Sequence, residues 1–179
     1  MKLLKTIRLD ASDTFVFERA AEPGEWAVPG TFVFSDTDPA ILQGKARTAF
    51  RAGFLGVSSL GWSTLVQIVE ADEPARAAAL EQLALQLMEH YGAPDIDAAR
   101  AASDEELTFA QSLCNHETGT LVALHRTADG AEIREAFRTL KARADSKAFR
   151  AFSFMDVEGE DEGPGDRVDL VNLAQGDRK

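Results

Sequence analysis

Asp129-Gly130-Ala131-Glu132-Ile133-Arg134-Glu135-Ala136-Phe137-Arg138-Thr139-Leu140 is the stretch on which the architecture of the second half of this chain turns. Read with period two, Ile133, Glu135, Phe137 and Thr139 alternate with Arg134, Ala136, Arg138 and Leu140, and Asp129-Gly130 closes a hairpin into a strand. Read with period 3.6, Asp129 and Glu132 form a capping box, and Ile133, Ala136, Phe137, Leu140 and Ala144 share one helical face. We adopt the helix over 131–144 and keep the strand as its alternative.

The flanking segments are easier to assign. Upstream, Leu121 to Leu124 reads as a strand. Before it a helix is expected from about Ser103, with Glu106 at the capping-box position, to Cys114. Asp72, Glu73 and Pro74 start a longer helix whose stripe of Ala77, Leu80, Leu83, Ala84, Leu87 and Met88 ends near Gly92. Trp62 to Val69 is a strong strand. Asp36 to Asp38 cap a helix that places Ile41, Leu42, Ala46, Ala49, Phe50 and Phe54 towards the core. Residues 3–9, 14–19 and 26–34 read as short strands, the last two joined by the turn Glu22-Pro23-Gly24-Glu25. Downstream, Phe149 to Val157 alternates like a strand, residues 158–166 form a polar acidic loop, and Val168 to Leu173 docks as a last strand. Strands at both ends around central helices predict an α+β fold: one domain over 1–179, an antiparallel or mixed sheet, and three or four helices packed on it.

Composition narrows the function. A length of 179 residues supports one sizeable core, and 45% apolar with 27% charged residues is the profile of a soluble globular protein. The net charge of −11 argues against nucleic acid and anionic membrane as partners. One cysteine leaves no internal disulfide and points to a reducing compartment. Lys5 and Arg8 interrupt any signal-like apolar region, and no apolar run reaches the roughly 18 residues of a membrane span, so a cytoplasmic location is expected.

Two sets of residues are candidates for a site. Arg47 and Arg51 stand four apart on the helix opposite Ala46, Phe50 and Phe54, and Arg134 and Arg138 repeat that spacing. Guanidinium groups suit bidentate capture of carboxylates or phosphates, so these four are the expected recognition surface, with a protein partner bearing acidic groups. The alternative set is Cys114, His116 and His125, with Trp62 lining a pocket. Zinc sites pair their ligands as Cys-x-x-Cys or His-x-x-x-His, a spacing this set lacks, and nothing nearby activates the thiol. No metal and no cofactor are expected. The glycine spacing of Gly56-Val57-Ser58-Ser59-Leu60-Gly61-Trp62-Ser63 imitates a phosphate loop, but Trp62 occupies the lysine position and a strand follows where a helix is needed.

Four segments carry a resemblance: Gly24 to Val28, Gly44 to Gly56, Gly61 to Val66 and Ile133 to Leu140. Together they resemble a family of small uncharacterised bacterial proteins of about 180 residues, a domain of unknown function, over nearly the whole chain. The resemblance brings no catalytic or ligand residues and implies a role beside redox enzymes, in their assembly. The expectation is a non-enzymatic cytoplasmic accessory or interaction protein, with a homodimer as its candidate oligomeric state. The alternative is a small-molecule binder or enzyme using the Cys114 region.

Overall fold

The structure, a computed structural model, describes residues 1–130 and 132–140. Seven strands form one antiparallel sheet: β1 (Lys2–Ile7), β2 (Trp26–Val28), β3 (Phe54–Gly56), β4 (Trp62–Ser63), β5 (Leu65–Glu70), β6 (Leu121–Asp129) and β7 (Glu132–Leu140). Their order is β4-β3-β2-β1-β5-β6-β7. Four helices accompany them: α1 (Ser12–Val16), α2 (Gly44–Ala52), α3 (Glu73–His90) and α4 (Ile96–Ser112). The expected α+β class is therefore the observed one, and of the two sheet types expected the antiparallel one is found.

The sheet curls into a half-barrel for a covalent reason. Only Thr64 separates β4, which pairs with β3, from β5, which pairs with β1. The strip β3-β2-β1 thus begins and ends on one chain segment and must bend back on itself. Asp13 holds the corner: its carboxylate accepts the Thr64 backbone N–H at 3.2 Å and the Thr64 hydroxyl at 2.5 Å. The expected continuous strand over 62–69 is broken there.

Helix packing follows the caps. Asp72 accepts the Ala75 N–H at 2.9 Å, with Pro74 in the first turn of α3. Asp95 does the same for Ala98 at 2.8 Å, so α4 starts well before Ser103. The expected start is wrong because Asp95, directly after Gly92-Ala93-Pro94, is the cap. Ser103 is a fully buried mid-helix residue, and Glu106 turns inward. α4 packs on β1 and β2, α3 packs on α4, and α2 packs on β6. The core beneath them is centred on Leu4, Val28, Phe54, Ile68, Leu83 and Leu107.

Three further assignments change. Residues 14–19 are not a strand: Ser12–Val16 is one short helical turn, leaving Phe15 exposed and Phe17 buried. The Asp10 carboxylate accepts the Ser12 N–H at 2.8 Å. Among the described residues the backbone of the segment meets the sheet only at its end, where the Trp62 N–H of β4 donates to the Arg19 carbonyl at 2.9 Å. The strand over 26–34 stops at Val28. Gly30, at φ +73°, turns the chain into a 3-10 helix over Thr31–Phe34, and a second follows at Pro39–Ile41.

The third correction concerns 131–144. Within the described residues this segment is strand β7, in continuous register with β6 from Asp129↔Glu132 to Leu121↔Leu140. Gly130 at φ +61° makes the turn. The strand expected over 149–157, the acidic loop at 158–166 and the strand over 168–173 lie outside the described residues.

Candidate functional site

The four candidate arginines do not form one surface. On the hairpin, Ile133, Glu135 and Phe137 face inward, level with Ala128, Arg126 and Leu124, while Arg134 and Arg138 project from the outer face. Arg134 is engaged by its own hairpin, at 3.0 Å from Asp129 and 3.4 Å from Glu132. Arg138 is exposed beside Ala123. Arg47 and Arg51 instead stand on the exposed side of α2, and no acid among the described residues lies within ion-pair distance of either.

These two arginines line a groove of about 960 Å³. The opposite wall is the turn Ser35–Ala40, carrying Asp36 and Asp38, and the Asp38 carboxylate accepts the Ala40 N–H at 2.9 Å. Thr127, Ala128 and Ile133 of the hairpin close the third side. The floor is apolar: Phe34 and Phe50 meet edge to face with centroids 5.2 Å apart. Trp62 lies behind them, stacked on Phe34 at 5.3 Å and buried, so it belongs to the core.

Under the floor sits Arg126, which sequence reasoning missed. It has no exposed surface, yet it is the centre of a polar network. Its Nη1 donates to the carbonyls of Phe50 (3.0 Å) and Gly53 (2.9 Å), and its Nη2 to the carbonyl of Pro29. Its Nε reaches Glu135 at 2.8 Å and the Thr31 hydroxyl at 3.0 Å, and Thr31 in turn donates to Glu135. One guanidinium thereby ties α2, the turn before the groove wall, and the hairpin into a single frame. The only signal was period two: Val122, Leu124 and Arg126 share the inward face of β6.

A second carboxyl joins this network from α4. Burial, reinforced by the nearby Glu135 charge, pushes Glu106 up to about 7, against the pull of the Gly30 amide and of Arg126. Its Oε2 is buried without a hydrogen-bond partner among the described residues, as is the Ser103 hydroxyl one turn earlier.

The Cys114 set is scattered. Cys114 is buried at the end of α4, its thiol donating to the Ala110 carbonyl at 3.4 Å, and burial pushes the thiol up to about 11. His116 is exposed, and its carbonyl accepts Lys2 Nζ at 2.8 Å. His125 stands on the outer face of β6, about 16 Å along the strand from Thr120 at about 3.3 Å per residue. No group of three or more His, Cys, Asp or Glu among the described residues is placed to hold a metal ion. At pH 8 a disulfide reagent should modify native Cys114 about 100-fold more slowly than the urea-unfolded chain, as the depleted thiolate requires. Stopped-flow thiol titration checks this, and equal rates would contradict the burial.

The loop with phosphate-loop spacing is filled from within. The Glu25 carboxylate accepts the N–H groups of Ser58 (2.7 Å) and Ser59 (2.9 Å) and the Ser59 hydroxyl (2.6 Å). The loop is an anion cradle, and its anion is the protein's own.

A curled antiparallel α+β domain whose groove, with an arginine wall facing an aspartate wall, lies over a buried arginine is thus the class that fold and site define. The chain belongs to a family of unknown function, DUF6505, whose model matches residues 1–156. No curated protein and no solved structure matches it. Among the described residues no helix is long and apolar enough to cross a membrane.

Proposed function

We propose that this protein is a non-enzymatic accessory protein whose α2 groove captures an acidic segment of a protein partner in the cytoplasm. The observation that carries this reading is the pairing of Arg47 and Arg51, one turn apart and exposed, with an apolar floor of Phe34 and Phe50 in the same groove. Guanidinium groups so spaced can clamp a carboxylate or phosphate, and the phenyl floor takes the apolar body beside it. The rigid Arg126 frame beneath keeps the two parts in register. Redox-enzyme subunits, the class the family resemblance suggests, are the first partners to screen.

The test is the double charge reversal R47E/R51E. Both side chains are exposed, so the variant should melt within about 2 °C of the wild type, as surface changes usually do. In a native pull-down from source cells, the wild type should retain a stoichiometric partner that R47E/R51E loses. Retention of that partner by the variant would sink the assignment, and so would unfolding. R134E/R138E should keep the partner, because those side chains point away from the groove.

A further inference from the structure

We infer that Glu106, Glu135 and Arg126 form a proton switch beneath the groove, set by whether one proton sits on the Glu106 carboxyl. This goes beyond the capture reading and concerns the wall of the same groove.

The geometry supplies three elements. First, two carboxyl groups share one guanidinium. Arg126 spends its Nη1 and Nη2 on the carbonyls of Phe50, Gly53 and Pro29 and turns only Nε to Glu135. Among the described residues its ion pair is with Glu135, and it makes none with Glu106, whose charge it meets at longer range. Second, Glu106 Oε2 is buried with no partner among the described residues, which suits a neutral acid far better than an anion. Third, the groups in contact belong to the groove wall. The Gly30 amide faces Glu106, and Thr31 donates to Glu135, just before the segment that carries Phe34 and Asp36.

The charges that reach Glu106 among the described residues are Glu135 from β7, Arg126 from β6 and Glu105 on its own helix. Two of the three are negative. With the proton in place the cluster holds one carboxylate, one carboxylic acid and one guanidinium. When the proton leaves to water, two carboxylates confront one cation, which is ion-paired with Glu135. The repulsion falls on Pro29 to Thr31, the strip that positions the groove wall.

The direction of the pH effect follows from the raised value of about 7 against 4.5 in the unfolded chain. The folded state binds this proton more tightly, so Glu106 contributes its full stability below pH 4.5. That contribution is lost as pH rises through about 7.

The experiment compares wild type with E106Q, an uncharged mimic of the protonated acid, without any ligand. Between pH 5 and 8 the wild-type Tm should fall by about 5–10 °C more than that of E106Q. Carbon-13 NMR of the Glu106 carboxyl should titrate between pH 6 and 8. The Gly30 and Thr31 amides should shift with the same midpoint, and E135Q should move that midpoint down. A Glu106 midpoint near 4.5 overturns the inference, as do Gly30 and Thr31 amides that ignore the transition. The wild-type NMR titration decides even if E106Q or E135Q fails to fold. Because no partner is present, either result leaves the capture reading to its own test.

Discussion

Arg126→Met should destabilise the protein by about 3–5 kcal/mol, a large part of the total for a domain of this size. Methionine matches much of the arginine's volume, so the loss does not come from a cavity. It comes from groups left behind: the carbonyls of Pro29, Phe50 and Gly53, which lose the guanidinium donors, and the carboxylate of Glu135, which keeps only the Thr31 hydroxyl among its side-chain partners within the described residues. Adding Glu135→Gln removes the stranded charge but not the stranded carbonyls. R126M/E135Q should therefore regain only part of the loss. Urea denaturation followed by far-UV circular dichroism measures both variants. A wild-type midpoint for R126M would show that the buried guanidinium is dispensable, and full recovery in the double variant would reduce its role to charge balance.

Gly30→Val should cost about as much, by a different route. At φ +73° a β-branched residue is strained by roughly 1–2 kcal/mol, and its Cβ would meet Leu55 Cβ at 2.5 Å. Leu55 is fully buried and has nowhere to go, so overpacking adds a further 1–3 kcal/mol or so. The sum is about 2–5 kcal/mol, read as a drop in urea midpoint or as insoluble expression. An unchanged midpoint would mean the chain does not take the left-handed turn there. Gly30 also faces Glu106, so a folded Gly30→Val protein should show an altered Glu106 titration. R126M should too, because it removes the charge that favours the ionised form.

Several elements were legible because their signals are local. The Asp72 cap, Pro74 and the apolar stripe of α3 are set by neighbours within two turns, and β1 likewise falls where its pattern predicts. The helix expected from the Asp36–Asp38 cap, by contrast, is only a 3-10 turn at Pro39–Ile41, with α2 starting at Gly44 and Phe54 in β3. The misread elements depend on distant partners. Phe15-Val16-Phe17 has strand chemistry, but among the described residues its chain reaches the sheet only at the Ala20↔Trp62 bridge that follows. Trp62 to Val69 has strand chemistry throughout, yet Asp13, some fifty residues earlier, bends it at Thr64. The start of α4 was missed for a simpler reason: Asp95 was a readable cap, overshadowed by the capping-box pattern at Ser103 and Glu106.

The hairpin shows the limit most clearly. Helix and strand both bury Ile133 and Phe137, so the hydrophobic pattern cannot separate them. What separates them is Glu135, outward in the helix and inward in the strand, where it meets Arg126 on β6. A charged residue at a core position looks like an argument against the strand until its partner is known. The same is true of the site. Arg47 and Arg51 could be singled out by helical spacing, and Arg134 and Arg138 share one side in helix or strand alike, but nothing local says that this side is turned away from α2.

The sequence by itself determined the α+β class, the helices with strong caps and the arginine pair on α2, because each rests on contacts between residues close along the chain. Only the tertiary structure decided that the sheet curls, that the hairpin exists, and that Arg126, Glu135 and Glu106 meet under the groove. Those depend on pairing across separations of up to 104 residues, as between Thr31 and Glu135, and periodicity carries no information at that range.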